Sequence, residues 1–146
     1  PHDAIPPHGP AGTVATVRSR TDIVRDYLAA FALGDPATIA GFVSPSFHNE
    51  HLSALGSGCA GREEYARRLP TFLADFVGVR YTVVEIGEVA DSCDVVVRYR
   101  MEAEYGGTPI DIAGMMWFTV TDGLIDRRTD LWDSLSFLRQ TGPSAG

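Results

Sequence analysis

No apolar run in this chain approaches the roughly 20 residues that a helix needs to cross a bilayer. The stretch from Pro1 to Arg20 also lacks the hydrophobic centre of a secretion signal. Basic residues are outnumbered, with 12 Lys and Arg against 19 Asp and Glu, a net charge of −7 and a pI near 4.9. Such a surface does not displace counterions from phosphates, so nucleic acid is excluded as a partner. The same balance excludes docking on an anionic membrane. Cysteine is scarce: Cys59 and Cys93 stand far apart without C-x-x-C spacing. They read as free thiols of a reducing cytoplasm rather than as a disulfide framework. There is no G-x-G-x-x-G behind a strand, no Walker loop, no G-x-S-x-G elbow and no H-E-x-x-H. Nucleotide cofactors and nucleophilic serine chemistry are therefore not indicated, and no cofactor is expected.

What the chain does contain is an ordinary globular composition: 45% hydrophobic and 21% charged residues over 146 positions, enough for one domain with a real core. Residues 1–20 begin with the Pro-, Gly- and His-rich segment Pro1 to Gly12 and read as a mobile N-terminal arm. Residues 21–139 read as a single domain and residues 140–146 as a frayed tail.

Ser19 or Thr21 caps a first helix, in which Ile23, Tyr27, Leu28 and Phe31 recur at helical spacing until Gly34. Asp35-Pro36 starts a short second helix carrying Ile39, Phe42 and Val43, and Ser44-Pro45-Ser46 ends it. The polar stretch Phe47-His48-Asn49-Glu50-His51 then leads into a loose loop. Arg62 to Phe76 reads as a third helix, kinked or broken at Pro70. After Gly78 the period falls from 3.6 to about 2. Strands are expected over Val79–Val89, Asp94–Tyr105, Ile110–Val120 and Leu124–Leu131, joined by turns at 90–93, Gly106-Gly107 and Asp122-Gly123. Helices followed by a meander mean segregated α+β.

Alternation puts Asp94, Val96, Arg98, Arg100, Glu102 and Glu104 on one face of the second strand, with Val95, Val97, Tyr99, Met101 and Ala103 on the other. On the last strand Asp126, Arg128, Asp130 and Trp132 share a face. With both charged faces turned inward, Arg100 stands between Glu102 and Asp130 and sets their protonation states. If both faces turn outward, the same residues form a solvated surface of weak ion pairs. Asp130, beside Trp132, is the expected base, because apolar walls raise a carboxylate towards a usable pKa; an ion pair with Arg128 is its bland alternative. His48, Asn49, Glu50 and His51 are placed to position water or substrate. His48 or Glu50 with His51 offers too few ligands for zinc, so no metal site is expected.

The layout resembles the nuclear-transport-factor-2-like superfamily, which includes SnoaL-like cyclases, ketosteroid isomerases and limonene-epoxide-hydrolase-like enzymes. The resemblance covers about Thr21 to Leu138 and is carried by Trp117 to Ile125, with its Asp122-Gly123 hairpin, and by Asp130-Leu131-Trp132-Asp133. It implies a cone: a curved mixed or antiparallel sheet and N-terminal helices around a deep pocket. In epoxide-hydrolase-like members an Asp–Arg–Asp triad works with a Tyr and an Asn. Arg100-Met101-Glu102 is similar to that family's Arg-x-Asp, Asp130 to its final-strand Asp, and Phe47-His48-Asn49 to its Tyr-x-Asn. Glu for Asp and Phe for Tyr are departures.

The resulting expectation is a cofactor-free enzyme that opens an epoxide on a hydrophobic small molecule. Asp130, Arg100 and Glu102 would be catalytic, and Phe47, Trp117, Trp132, Tyr27 and Phe31 would line the pocket. The alternatives are a polyketide-cyclase-like or ketosteroid-isomerase-like proton abstraction beside a carbonyl, and a non-catalytic ligand-binding or dimerising module. The resemblance also implies a homodimer.

Overall fold

The computed structural model describes residues 18–142; most of the N-terminal arm, including His2 and His8, and the last four residues of the tail lie outside them. Helix α1 (Arg20–Ala30) begins where Ser19 Oγ accepts from the amide of Asp22 at 3.1 Å, a cap that satisfies an otherwise orphaned donor. Ile23, Val24, Tyr27 and Leu28 form its buried stripe. A single 3-10 turn, Phe31–Leu33, ends at Gly34 with φ +70, which glycine adopts without strain. Asp35 then caps helix α2 (Pro36–Ala40), with Pro36 in its first turn.

The expected end of that helix is in fact the start of strand β1 (Val43–His51). Pro45 misled the local reading: it is exposed, and the pairing of β1 shifts register between Val43 and His48, as a strand containing a residue without an N–H must. The two-residue strand β2 (Cys59–Ala60) precedes helix α3 (Arg62–Asp75). Pro70 sits within α3 without dividing it into two helices. The meander follows as β3 (Phe76–Glu88), β4 (Asp94–Tyr105), β5 (Thr108–Thr121) and β6 (Leu124–Trp132). A further helix, α4 (Ser134–Thr141), follows β6 and takes in Gln140 and Thr141, the first two residues of the expected tail. It is capped by Asp133 and tied to β5 by Gln140, which bonds the backbone of Asp111.

The six strands form one sheet in the order β2-β1-β6-β5-β4-β3. All neighbours are antiparallel except β1 and β6, which are parallel. The sheet is therefore mixed, and the fold is α+β with helices packed on its inner face. Tyr27, Phe47, Phe118, Leu28, Ile39 and Ile112 are fully buried, each stabilising the fold by about 1.5–3 kcal/mol through removal from water. No helix among the described residues is long and apolar enough to cross a membrane.

Candidate functional site

The site is assembled by the one parallel strand pair. Period-two alternation turns Phe47, Asn49 and His51 of β1, and Arg128 and Asp130 of β6, into the interior. The register sets His51 opposite Asp130 and Asn49 opposite Arg128, so four polar side chains form the floor of a cavity with largely aromatic walls. Its volume is about 340 Å³ and its walls include Phe31, Phe72, Tyr81, Tyr99, Trp132 and Phe137. Cavities of this size hold a small organic molecule.

Asp130 is 3% exposed. Its Oδ1 accepts from the Tyr99 hydroxyl at 2.6 Å and its Oδ2 from Arg128 at 3.0 Å. Arg128, 4% exposed, also donates to the Tyr27 hydroxyl at 3.0 Å and the Tyr81 hydroxyl at 3.5 Å. Its guanidinium lies 5.8 Å from the ring centres of both Tyr27 and Phe31. A charge so deeply buried survives because a carboxylate, phenol oxygens and ring faces replace its water. The hydroxyls of Tyr27 and Tyr65 are hydrogen-bonded to each other, and Tyr65 opens to the cavity. Burial, reinforced by the charge of Asp130, pushes the Tyr99 phenol far up. Burial likewise raises Tyr65 well above its ordinary value and Tyr81 to about 12. All three therefore remain protonated near neutrality.

His51 accepts at Nδ1 from Trp132 Nε1 at 3.3 Å, so its neutral ring carries the proton on Nε2. Burial lowers its pKa, and Arg128 lowers it further against the opposing pull of Asp130. The neutral form is thereby favoured. Ser53 fixes the neighbourhood, exchanging two 2.7 Å bonds with the backbone of Trp132. Gly114 leaves room for Tyr99: a Cβ there would stand 2.4 Å from the Tyr99 hydroxyl oxygen. Among the described residues, no group of three or more His, Cys, Asp or Glu side chains is placed to hold a metal ion. Cys59 and Cys93 are both free, and Cys59 lies on the cavity wall.

The structure divides the expected site residues. Asp130, Asn49, His51, Phe31 and Trp132 all line the cavity. Arg100 and Glu102 do not: they stand on the outer face of β4, where Arg100 pairs with Asp111 and Glu102 with Arg80, each about half exposed. The apolar face of β4 turns inward instead, bringing Tyr99 and Met101 to the cavity. His48 is exposed, and Glu50 faces away, accepting from Thr129. Trp117 is on the outer face and donates to Asp94 at 2.8 Å. Phe47 is fully buried against Tyr65, with ring centres 4.9 Å apart. Tyr27 lies beneath the floor, bonded to Arg128; neither ring lines the cavity. The arginine that holds Asp130 is Arg128, two positions away on the same strand, a spacing that itself implies a shared face. Tyr99 was concealed within an apolar row.

A family model described as a SnoaL-like domain matches residues 24–128. A search of curated proteins gives no match. Among solved structures, the chain is similar to a protein of ketosteroid isomerase-like fold from Catenulispora acidiphila, solved with trimethylamine. The TM-score is 0.74 and the identity 19%, over 83% of this chain and 92% of that one. It is similar also to a candidate polyketide cyclase from Xanthomonas campestris, with a TM-score of 0.69 and 21% identity over 83% and 95% of the two chains. A third is SalBIII, an epoxide hydrolase/cyclase-like enzyme of pyran ring formation in salinomycin, with a TM-score of 0.71 and 20% identity over 80% and 92%.

Proposed function

Because the chain belongs to the SnoaL-like domain family and buries one carboxylate in the floor of an aromatic cavity, we propose that it is a cofactor-free acid–base enzyme acting beside a carbonyl of a hydrophobic small molecule. The carrying observation is Asp130, held by Tyr99 and Arg128. Two hydrogen bonds occupy only half of the four acceptor positions of a carboxylate, and one that remains takes the substrate proton. The carbon–hydrogen bond breaks, its electron pair passes into the carbonyl, and Asp130 becomes the acid. The enolate oxygen takes a hydrogen bond from His51 Nε2–H. In the second half the enolate carbon attacks another carbonyl, or is reprotonated elsewhere, and the proton of Asp130 returns to the new alkoxide or carbon. Each transfer contributes about 10²–10⁴-fold.

A carboxylate is a weak base, which favours acidic carbon–hydrogen bonds, such as a methylene between two carbonyls, over those of simple ketones. The likeness to a candidate polyketide cyclase is in keeping with such substrates. Epoxide opening by paired acids requires a second carboxyl beside the first. The inner face of β4 offers Tyr99 and Met101, and Asp75, the other carboxylate on the lining, is exposed at its rim.

Deuterium exchange at the methylene of a benzoylacetate ester, followed by NMR in mildly acidic D₂O, tests the reading. The wild type should accelerate exchange, and Asp130→Asn, verified as folded by circular dichroism, should lose about 10²–10⁴-fold. Equal rates for the two proteins would remove Asp130 from the chemistry.

A further inference from the structure

One wall of the cavity is a continuous row of aromatic rings. Phe72 stacks on Phe76 with ring centres 4.8 Å apart, Phe76 meets Tyr105 and Tyr105 meets Phe137 at 5.0 Å each, and Phe137 meets Trp132 at 5.8 Å. All of these residues line the cavity and remain partly exposed, so they are open to a bound molecule. Asp75 belongs to the same wall. It follows Phe72 by three residues on α3, a spacing that places both on one side of the helix, and it is exposed at the cavity rim.

The charges on this lining do not balance. Arg128 is paired with Asp130 and Arg68 with Glu64, whereas Asp75 has no salt-bridge partner among the described residues. Asp75 also ends α3, at the negative pole of that helix, and no basic residue in the last turn offsets it. The face of an aromatic ring is itself negative. Rings, carboxylate and helix end therefore all favour positive charge. A bare ammonium is strongly hydrated; an alkylated one sheds its water more readily and presents methyl groups to ring faces. We propose that the cavity takes a small molecule bearing an alkylated ammonium group, the cation held by Asp75 and the aromatic row while the rest reaches towards the floor. This names the substrate class of the same site: the carbonyl end rests on the acid–base reading above, and the ammonium end does not.

The test is NMR titration of the intact protein with choline and with its neutral isostere, the alcohol in which a carbon replaces the nitrogen. The two molecules share one shape, and only choline is charged. Choline should bind about 5- to 30-fold more tightly than the alcohol. Asp75→Asn, which removes the carboxylate, and Phe137→Leu, which removes a ring, should each cut that ratio by about threefold or more. The proposal is overturned if choline does not bind, if the alcohol binds as tightly, or if the full ratio survives in either variant. The wild-type comparison stands even if a variant fails to fold. Choline has no carbonyl, so this result is independent of the exchange test. Cation selectivity without deuterium exchange sinks only the catalytic reading, and exchange without cation selectivity sinks only this inference.

Discussion

At the scale of single residues, the site is a balance between one buried cation and one buried anion, surrounded by phenols that stay protonated. His51 beside them has a measurable signature. Its folded pKa is lowered, so below about 6.5, the value of an ordinary histidine, the unfolded chain binds a proton that the folded one does not. By linkage, stability falls as pH drops through that value and levels out below the folded pKa. Charged groups acting on the ring are Arg128 and Asp130 on β6; Arg68 and Asp75 stand on the same cavity lining, and the Cys59 thiol there is pushed up by burial and stays neutral. These remain in a His51→Gln protein, so the difference between the two proteins isolates His51. Wild type should lose more stability than His51→Gln between about pH 7 and pH 5, measured by urea unfolding at each pH; parallel losses would contradict the buried, neutral ring. Asp130 and the inward face of β6 were legible in the sequence, since alternation and the neighbouring Trp132 pointed to them. Tyr99 was not, because a phenol between Val97 and Met101 looks like any other core aromatic until its hydroxyl finds a carboxylate.

At the scale of elements, the glycine in β5 matters as much as the side chains it adjoins. Gly114 lies opposite both Tyr99 and Trp132, and the Tyr99 ring occupies the space a Cβ would need. That ring is buried and in edge contact with Tyr81 at 5.4 Å, so it cannot swing aside without disturbing both. Gly114→Ala should destabilise the fold by about 1–3 kcal/mol through overpacking and also reduce exchange activity by displacing the phenol from Asp130. Tyr99→Phe should reproduce the second effect without the full cost of the first; thermal melts and exchange rates on both proteins check this. The meander and its Asp122-Gly123 turn were readable from pattern, because positive φ at both residues is what that dipeptide supplies. Strand β1 was not, since its proline and polar residues imitate a loop. Pairing with β2 on one side and with β6, about 80 residues later in sequence, on the other makes a strand of it. Tertiary contact overrode local preference.

At the scale of the whole molecule, the sheet separates two kinds of charge. Inside, Arg128 and Asp130 are nearly dry. Outside, Arg80–Glu102, Arg98–Glu85 and Arg100–Asp111 lie in solvent, where ion pairs contribute little. Replacing Arg100 and Glu102 together by alanine should leave the exchange rate unchanged and move the melting temperature by no more than a few degrees; a large loss of rate would return them to the chemistry. Element order had announced the fold class, and strand alternation the existence of two candidate charged faces. Which face turned inward depended on how the strands pack against α1 and α3, and no single strand carries that information.

The first strand of the sheet is completed by its last. Asn49 and His51 meet Arg128 and Asp130 only once β6 has docked beside β1, at the end of a long closure in sequence. Such non-local joining carries a chain-entropy cost that neighbouring hairpins do not. A chain truncated before β6 lacks Arg128 and Asp130, so the Asn49 and His51 side of the proposed site stands without its partners until that strand is in place.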